Sequence, residues 1–246
     1  MGRQSEAAAS QAAAATALLR RAAVEHAPAA LASSFGAEDM VLIDLLAAAA
    51  LPITVFTLDT GRLPEETHAL IDRVRNLYRL DIDIYFPDAP ALEPFVRSHG
   101  INAFYESPLL RERCCAIRKT EPLARALAGK QVWITGLRRG QSITRRAIAV
   151  EEFDALHGIA KFNPLADWTR DDVWSYVKAH RVPYNALYDR GYASIGCAPC
   201  TRAIEPGEDE RAGRWWWENP ERRECGLHHR LVPIVEVPAA VVGSNP

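Results

Sequence analysis

The five cysteines are the residues whose type and spacing point most directly to chemistry in this chain. Four of them form two close pairs, the adjacent Cys114-Cys115 and the CxxC pair of Cys197 and Cys200. Four thiolates that folding brings to one site would bind zinc or an iron–sulfur cluster. Structural zinc usually takes cysteines separated by two or more residues, and helical neighbours point about 100° apart. The adjacent pair therefore favours a broad cluster or a distorted helical turn, although spacing alone does not fix the metal.

The fifth cysteine, Cys225, is available for a different task, because an odd number of cysteines fits poorly with a closed disulfide framework. Arg211 and Arg214 precede it in the chain, and His228 follows it. Positive charge near a thiol lowers its pKa and raises the fraction of reactive thiolate. We therefore predict that Cys225 is a nucleophile. The tryptophans of 215–217 are interpreted as packing or interface residues rather than as a platform for bases.

A strongly basic segment surrounds the first cysteine pair. Residues 111–146 contain ten Lys or Arg residues and only two acidic ones. Such a run usually forms a solvated face, but this one flanks both the cysteine pair and a predicted strand end. Because arginine binds phosphate and sulfate through bidentate hydrogen bonds, the segment favours a multiply charged anionic ligand.

Small and polar residues follow two predicted strands. Ser33, Ser34 and Gly36 lie between the first strand and a helix, and Asp59 and Gly61 follow the second strand. Backbone N–H groups at a helix N-terminus attract anions. An ordinary N-cap is the alternative, since the lysine of a Walker loop is missing. Two polar strand ends side by side predict a nucleotide site at the carboxyl edge of a sheet.

The elements that would position these residues alternate between strand and helix. Apolar runs rich in β-branched residues predict strands, and longer periodic runs predict helices. The predicted strands are 30–35, 53–58, 81–86 and 131–136, and the predicted helices are 5–26, 38–50, 64–79, 91–99, 112–128 and 164–180, the last with a capping box at Thr169 and Asp172. This alternation predicts an α/β fold with a parallel, doubly wound sheet.

The domain organisation follows from where this alternation stops. The length of 246 residues suits one large domain with appended segments. We expect an N-terminal helix in 1–28, an α/β nucleotide-binding core in 29–180, a C-terminal segment in 181–230 that covers the site, and a tail in 231–246.

Composition argues against several classes of protein. Hydrophobic residues make up 48% and charged residues 24%, which is typical of a globular chain, and the net charge of −2 argues against a nucleic-acid partner. No apolar run reaches the roughly eighteen residues of a membrane span. Glu6, Arg20 and Arg21 mark the Ala-rich N-terminus as an amphipathic helix rather than a leader. We therefore expect a cytoplasmic protein without a membrane partner.

Seven segments between about residue 30 and residue 229 resemble, in this order, the adenylyl-sulfate reductases of the phosphoadenylyl-sulfate reductase family. They are SSFGAED, LDTGR, CCAIRK, GLRRGQS, PLADWTRDDVWSYV, CAPC and ECGLH. Each segment alone is a weak signal, whereas the ordered set is specific. The resemblance implies a Rossmann-like, ATP-pyrophosphatase-type (adenine nucleotide alpha hydrolase-like) parallel sheet flanked by helices. One departure is the proline-containing tail that continues beyond ECGLH.

The resemblance also implies an activity, the thioredoxin-dependent reduction of adenosine 5′-phosphosulfate to sulfite and AMP in sulfate assimilation. Cys225 would attack the sulfate sulfur and become an S-sulfonate. The two cysteine pairs, Cys114, Cys115, Cys197 and Cys200, would hold a [4Fe–4S] cluster, and the chain would form a homo-oligomer. The substrate-binding residues implied are Ser33, Ser34, Gly36, Asp59, Gly61, Lys119, one of Arg138 and Arg139, Arg211, Arg214 and His228.

Three alternatives remain open at this point. A reductase of the same family could prefer 3′-phosphoadenylyl sulfate, although members of that kind commonly lack the two cysteine pairs. An ATP-dependent tRNA thiolation enzyme would share the fold, but the first loop lacks the SGGxDS form and ECGLH has no place there. A zinc- or cluster-containing nucleic-acid-binding protein would use the basic segment 111–146, and its affinity would fall steeply with salt.

Overall fold

The computed structural model describes residues 2–219 and residue 227 of the chain. Cys225, His228 and the predicted tail of 231–246 therefore lie outside the described residues. Within the described part, no helix is long and apolar enough to cross a membrane.

One mixed sheet organises the fold. Its strands are β1 (Ala29–Ala32), β2 (Ile53–Leu58), β3 (Ile82–Tyr85), β4 (Val132–Ile134), β5 (Glu151–Asp154) and β6 (Ile159–Phe162). The strand order is β3-β2-β1-β4-β6-β5, and neighbouring strands are parallel except for the antiparallel pair β5 and β6. The chain therefore extends the sheet to one side of β1 through β2 and to the other side through β4. This reversal beside β1 is the position at which open α/β sheets bind ligands.

Helices connect the strands. They are α1 (Gly2–Glu25), α2 (Ala37–Ala48), α3 (Glu65–Tyr78), α4 (Ala89–His99), α5 (Pro108–Cys115), α6 (Glu121–Leu127) and α7 (Arg170–His180). The capping box predicted for α7 is confirmed, since the Asp172 amide donates to Thr169 Oγ1 at 3.1 Å and the Thr169 amide donates to Asp172 Oδ2 at 2.8 Å.

The core lies between the sheet and these helices. Leu31 and Val55 of the central strands and Val41 and Ile43 of α2 are at most 1% exposed and share one hydrophobic cluster. Burial of each such side chain stabilises the fold by about 1.5–3 kcal/mol. A rigid central sheet results, and its strand ends are the fixed points of the candidate site.

The structure confirms the parallel α/β fold expected from the sequence and differs mainly in three elements. The helix expected over 164–180 begins only at Arg170. The hairpin of β5 and β6 was not predicted, because its charged residues hide the strand pattern. Lys161 of β6, for example, forms an ion pair with Glu152 of β5 at 2.9 Å and lies over the Trp133 ring. The helix expected over 112–128 begins earlier, at Pro108, and is divided by a π-helical turn at Ala116–Thr120.

Candidate active site

A cleft lies at the carboxyl ends of β1, β2 and β4, as the polar strand ends predicted. Ser33 and Ser34 after β1, Thr60 after β2 and Thr135 after β4 line it. The C-terminal part of the chain forms its other wall, through the segments 193–197 and 210–215. These two segments belong to the C-terminal segment expected over 181–230.

The loop after β1 is fixed by its own hydrogen bonds. Asp39 Oδ2 accepts from the amide and the hydroxyl of Ser34, at 2.6 and 2.8 Å, and Ser33 Oγ accepts from the amide of Phe35 at 3.1 Å. The left-handed residue of the loop is Phe35, with φ of 58°, rather than Gly36. Phe35 tolerates this conformation because its side chain is buried in the core. Ser33, Ser34 and Gly36 all line the cleft.

Asp39 is a buried carboxylate at this edge of the cleft. Burial raises its pKa to about 6, although the hydrogen bonds from Ser34 oppose the shift. The amide of Ala37 donates to the hydroxyl of Tyr188 at 3.0 Å, so the N-terminus of α2 is tied to the C-terminal segment. The amides of Ser34, Phe35 and Ala37 thus have hydrogen-bond partners inside the protein. The loop forms one side of the cleft, but these amides are not open donors for an anion.

The loop after β2 places its predicted residues differently. Asp59 Oδ1 accepts from the Gly61 amide at 2.8 Å, and Asp59 Oδ2 contacts His68 Nε2 at 2.8 Å. Gly61 has φ of +67°, which explains the glycine. Neither Asp59 nor Gly61 is among the described residues that line the cleft, and the side chain between them, Thr60, lines it instead.

Four cations line the cleft: Lys119, Arg145, Arg211 and Arg214. Three of them surround the ring of Trp215, with Arg214 at 4.6 Å, Lys119 at 5.9 Å and Arg211 at 6.0 Å from its centroid. A buried tryptophan face stabilises cations held over it. We call the three cations around Trp215, namely Lys119, Arg211 and Arg214, the basic wall.

Close packing against a glycine holds Arg214 in this position. Its guanidinium donates to the Ile195 carbonyl at 3.2 Å, and any Cβ on Gly196 would overlap that guanidinium. Gly196 therefore allows the arginine to approach the backbone closely.

The two arginines of GLRR lie outside the lining of the cleft. Arg138 is only 1% exposed and forms ion pairs with Glu38 at 2.7 Å and Glu210 at 2.6 Å. Arg139 is partly exposed, pairs with Asp167 and donates to the Ile148 carbonyl. Neither lines the cleft in the described structure, whereas Glu38 and Glu210 do.

The four paired cysteines meet in a second pocket, next to the cleft. Cys114, Cys115, Cys197 and Cys200 line it together with Arg118, and Cys115, Cys197 and Cys200 pack against Phe104 and Trp215. The two cavities share Lys119, Cys197 and Trp215 as a common wall. The adjacent cysteines end α5 immediately before the π-helical turn, so the distortion considered for them in the sequence is present.

The charge around this second pocket acts on the thiols. Burial raises the pKa of Cys197, but Lys119, the Thr60 hydroxyl at 3.2 Å, Arg214 and Arg118 outweigh it, so the pKa lies below the usual value. Burial raises the pKa of Cys200 to about 11 and also raises that of Cys114. The Nε atoms of Arg118 and Arg214 are buried without a hydrogen-bond partner in the described structure.

The ECGLH segment enters the described structure through one residue, Leu227. It lines the cleft and packs against the cluster that contains Phe56, Leu123 and Trp133. Cys225 and His228 lie outside the described residues, so their predicted roles stay predictions.

Sequence reasoning did not single out several residues of the cleft. Glu38 and Asp39 stand inside the quoted SSFGAED segment, and Arg145 was counted only as part of the basic run. Thr60 likewise stands inside the LDTGR segment. For Tyr188 and Glu210 no pattern in the sequence indicated a role, because their positions depend on contacts with distant segments.

Comparison with known proteins gives consistent results. Residues 28–203 match the family described as phosphoadenosine phosphosulfate reductase domain. The adenosine 5′-phosphosulfate reductase of Allochromatium vinosum is 56% identical over 199 residues, covering 81% of this chain and 78% of that protein. The protein of the same name from Burkholderia cepacia is 54% identical over 223 residues, covering 91% of this chain and 88% of that protein.

Solved structures agree. A phosphoadenylyl-sulfate reductase from Candida auris, crystallised with phosphate, superposes with a TM-score of 0.67 at 28% identity, covering 78% of this chain and 90% of that one. Candida glabrata FMN adenylyltransferase has a TM-score of 0.53 at 14% identity, covering 89% of this chain and 75% of that one, and shares the fold alone. The match over most of the chain, the identity to the two reductases and the agreement in fold show that this chain belongs to the phosphoadenosine phosphosulfate reductase family.

Proposed function

We propose that this chain reduces adenosine 5′-phosphosulfate to sulfite and AMP, with reduced thioredoxin as the electron donor. The observation that carries the proposal is the wall of Lys119, Cys197 and Trp215 shared by the nucleotide cleft and the four-cysteine pocket. An anion in the cleft and a cysteine-bound group would face the same cation there, Lys119.

The cleft suits a nucleotide with a charged end. Phe56, Leu123, Trp133 and Leu137 give it an apolar lining for a base. The basic wall supplies the positive charge that a phosphosulfate requires, and arginine offers paired donors that match its oxygens. We therefore place the phosphosulfate against Lys119, Arg211 and Arg214, and the nucleoside toward Ser33 and Ser34.

The chemistry requires one cysteine sulfur that takes part in two steps, first as the nucleophile and then as the atom that is attacked. The Cys225 thiolate would attack the sulfate sulfur, forming an S–S bond as the bond from sulfur to the bridging oxygen breaks and AMP leaves. The basic wall would stabilise the negative charge that develops on the departing phosphate oxygen. A thioredoxin thiolate would then attack Cys225 Sγ and release sulfite, and the second thioredoxin thiol would resolve the mixed disulfide and free Cys225.

The four paired cysteines fit an iron–sulfur group. They are free thiols, three of them buried, and the Nε atom of Arg118 and the Nε1 atom of Trp215 beside them are buried N–H donors without a partner in the described residues. Such donors match sulfur acceptors. Among the same residues, no group of three or more His, Cys, Asp or Glu side chains is arranged to hold a single metal ion. An iron–sulfur cluster is broader than one ion. We propose that Cys114, Cys115, Cys197 and Cys200 hold a [4Fe–4S] cluster, which would add charge and polarisability beside the substrate anion.

The proposal includes the compartment and the assembly expected from the sequence. Free thiols that must stay reduced suit the cytoplasm. A homo-oligomer remains part of the proposal as an expectation from the family resemblance.

Sulfite release tests the function. Anaerobically purified protein is supplied with reduced thioredoxin and either adenosine 5′-phosphosulfate or its 3′-phosphorylated form. We expect sulfite from the first substrate and none from a Cys225→Ser variant. Sulfite mainly from the second would support a reductase that prefers the 3′-phosphorylated nucleotide, as the name of the Candida auris relative suggests. No sulfite from either would overturn the proposal.

A further inference from the structure

Arg138 joins two parts of the cleft that are distant in the chain. Its Nε atom donates to Glu38 at 2.7 Å, and its terminal nitrogen donates to Glu210 at 2.6 Å, so it connects α2 with the segment that begins the basic wall. Gln141 reinforces the link, since it accepts from the Arg138 amide at 3.2 Å and donates to Glu38 at 3.0 Å. The Arg138 side chain is 1% exposed, so these bonds are shielded from water.

The position of Glu210 makes this link relevant to the substrate. Glu210 immediately precedes Arg211, and the Arg214 amide donates to the Arg211 carbonyl at 2.9 Å in a tight turn. Arg214 also forms an isolated β-bridge with Thr201. Fixing Glu210 therefore fixes the start of the turn that carries both arginines of the basic wall.

Arg138 also balances the negative charge of the two glutamates that it connects. Glu38 and Glu210 line a cleft that receives an anion, and Asp39 lies beside Glu38. Arg138 is the buried cation between the two glutamates, while Arg170 is half exposed and lies 4.0 Å from Glu210. Without Arg138, the two carboxylates would repel each other and the bound anion.

We propose that Arg138 is a positioning residue, which holds the 210–215 turn against α2 through Glu210 and neutralises the two glutamates, so that Arg211 and Arg214 face the substrate anion. The inference rests on the proposed function for its substrate and on the described geometry for its contacts. It assigns to one arginine of GLRR a role through other residues rather than a contact with substrate.

The test compares two neighbouring arginines by substitution. Arg138→Met is expected to raise KM for adenosine 5′-phosphosulfate about tenfold with kcat within about twofold, the scale of one charge-assisted hydrogen bond. Arg139→Met is the matched control, because Arg139 is partly exposed and pairs with Asp167 outside the cleft. Its KM should stay within about twofold of the wild-type value. An unchanged KM for Arg138→Met would overturn the inference.

A second variant tests the proposed route through Glu210 and remains informative if Arg138→Met does not fold. Glu210→Gln removes a negative charge from an anion-binding cleft, so a purely electrostatic role predicts a lower KM. The positioning role predicts a higher KM, by about threefold, because the turn loses its hydrogen bond to Arg138. In the double variant Arg138→Met with Glu210→Gln, KM should lie below that of Arg138→Met alone, since no unpaired carboxylate remains at 210. A lower KM for Glu210→Gln, or additive effects in the double variant, would overturn the positioning role.

Equilibrium binding of AMP separates this inference from the proposed function. AMP carries a phosphate for the basic wall and needs neither thioredoxin nor turnover. If the wild type releases no sulfite but binds AMP, and Arg138→Met weakens that binding about tenfold while Arg139→Met does not, the function fails and the positioning role stands. If AMP binds the wild type and both variants equally, or does not bind the wild type, the positioning role is overturned.

Discussion

The two walls of the cleft both depend on buried arginine, and they use it for different purposes. On the basic wall, Arg214 lies 4.6 Å from the Trp215 ring centroid, and its buried Nε has no hydrogen-bond partner in the described structure. Outside the lining of the cleft, Arg138 is also buried, but its side chain donates to Glu38 and Glu210. The charge of Arg214 is therefore available to a ligand, whereas that of Arg138 is balanced by the protein. Burial and residue type alone do not distinguish a substrate contact from a structural cation.

Removing the charge of Arg214 should have the largest effect. Arg214→Gln is expected to lower kcat/KM for adenosine 5′-phosphosulfate about a thousandfold, because a preorganised donor to the reacting anion is lost. The measurement is sulfite release with reduced thioredoxin at several substrate concentrations. Arg146→Gln, at an exposed position of the same basic segment, serves as the control and should be within about twofold of the wild type. Equal losses in the two variants would show that general positive charge matters rather than the basic wall.

Asp39 should make the stability of the α2 side of the cleft sensitive to pH. Burial raises its pKa to about 6 from an ordinary value of 3.8, so the fold favours the protonated form. Its stabilising contribution is complete below the unfolded pKa and is lost as pH rises through about 6. The free energy of unfolding of the wild type, relative to Asp39→Asn, should therefore fall by about 2.5 kcal/mol between pH 4 and pH 7.5.

Denaturant unfolding of both proteins at several pH values measures this difference. Subtraction of the variant removes the contribution of all other carboxylates that titrate in the same range. A difference that stays constant from pH 4 to pH 7.5 would mean that Asp39 is not held in the environment that the fold gives it.

The sequence predicted the place of the site better than the roles of its residues. The alternation of elements located the cleft at the carboxyl ends of the strands, and the spacing of Cys114-Cys115 and CxxC predicted that the pairs would meet. The roles of Arg138 and Arg214 could not be separated in this way. Arg138 finds its partners 100 and 72 positions away in the chain, and no local pattern encodes such contacts. Asp59 shows a different limit: the sequence placed it at a strand end, but its carboxylate accepts from the Gly61 amide in a local turn instead of lining the cleft.

Two glycines, one on each wall, extend the comparison to backbone packing. A Cβ on Gly136 would overlap the Asp39 carboxylate and lie 2.9 Å from Glu38 Cβ and 3.2 Å from the Asp39 amide. Glu38 Cβ and the Asp39 amide belong to α2 itself and cannot rotate away. Gly136→Ala should therefore lower the free energy of unfolding by about 2 kcal/mol.

Gly140→Ala is the matched control for this substitution. A Cβ there meets only the end of Arg138, at 3.7 Å, which is an ordinary contact. Thermal and denaturant unfolding should leave this variant within about 0.5 kcal/mol of the wild type. If Gly136→Ala is equally stable, α2 and the loop after β4 do not pack as closely as the cleft requires.

Gly196→Ala should show the smallest effect, and it should appear in substrate binding rather than in stability. The added Cβ would overlap only the guanidinium of Arg214, which lies at the end of a flexible side chain. The arginine can move away at little cost to folding, but it then leaves its place over Trp215. We expect KM for adenosine 5′-phosphosulfate to rise about tenfold, with the free energy of unfolding changed by less than about 1 kcal/mol. Measuring KM and unfolding on the same preparation separates the two responses. A loss of stability with an unchanged KM would contradict this prediction. Such a result would mean that the Arg214 guanidinium stabilises the fold, as Arg138 does, rather than binding the substrate.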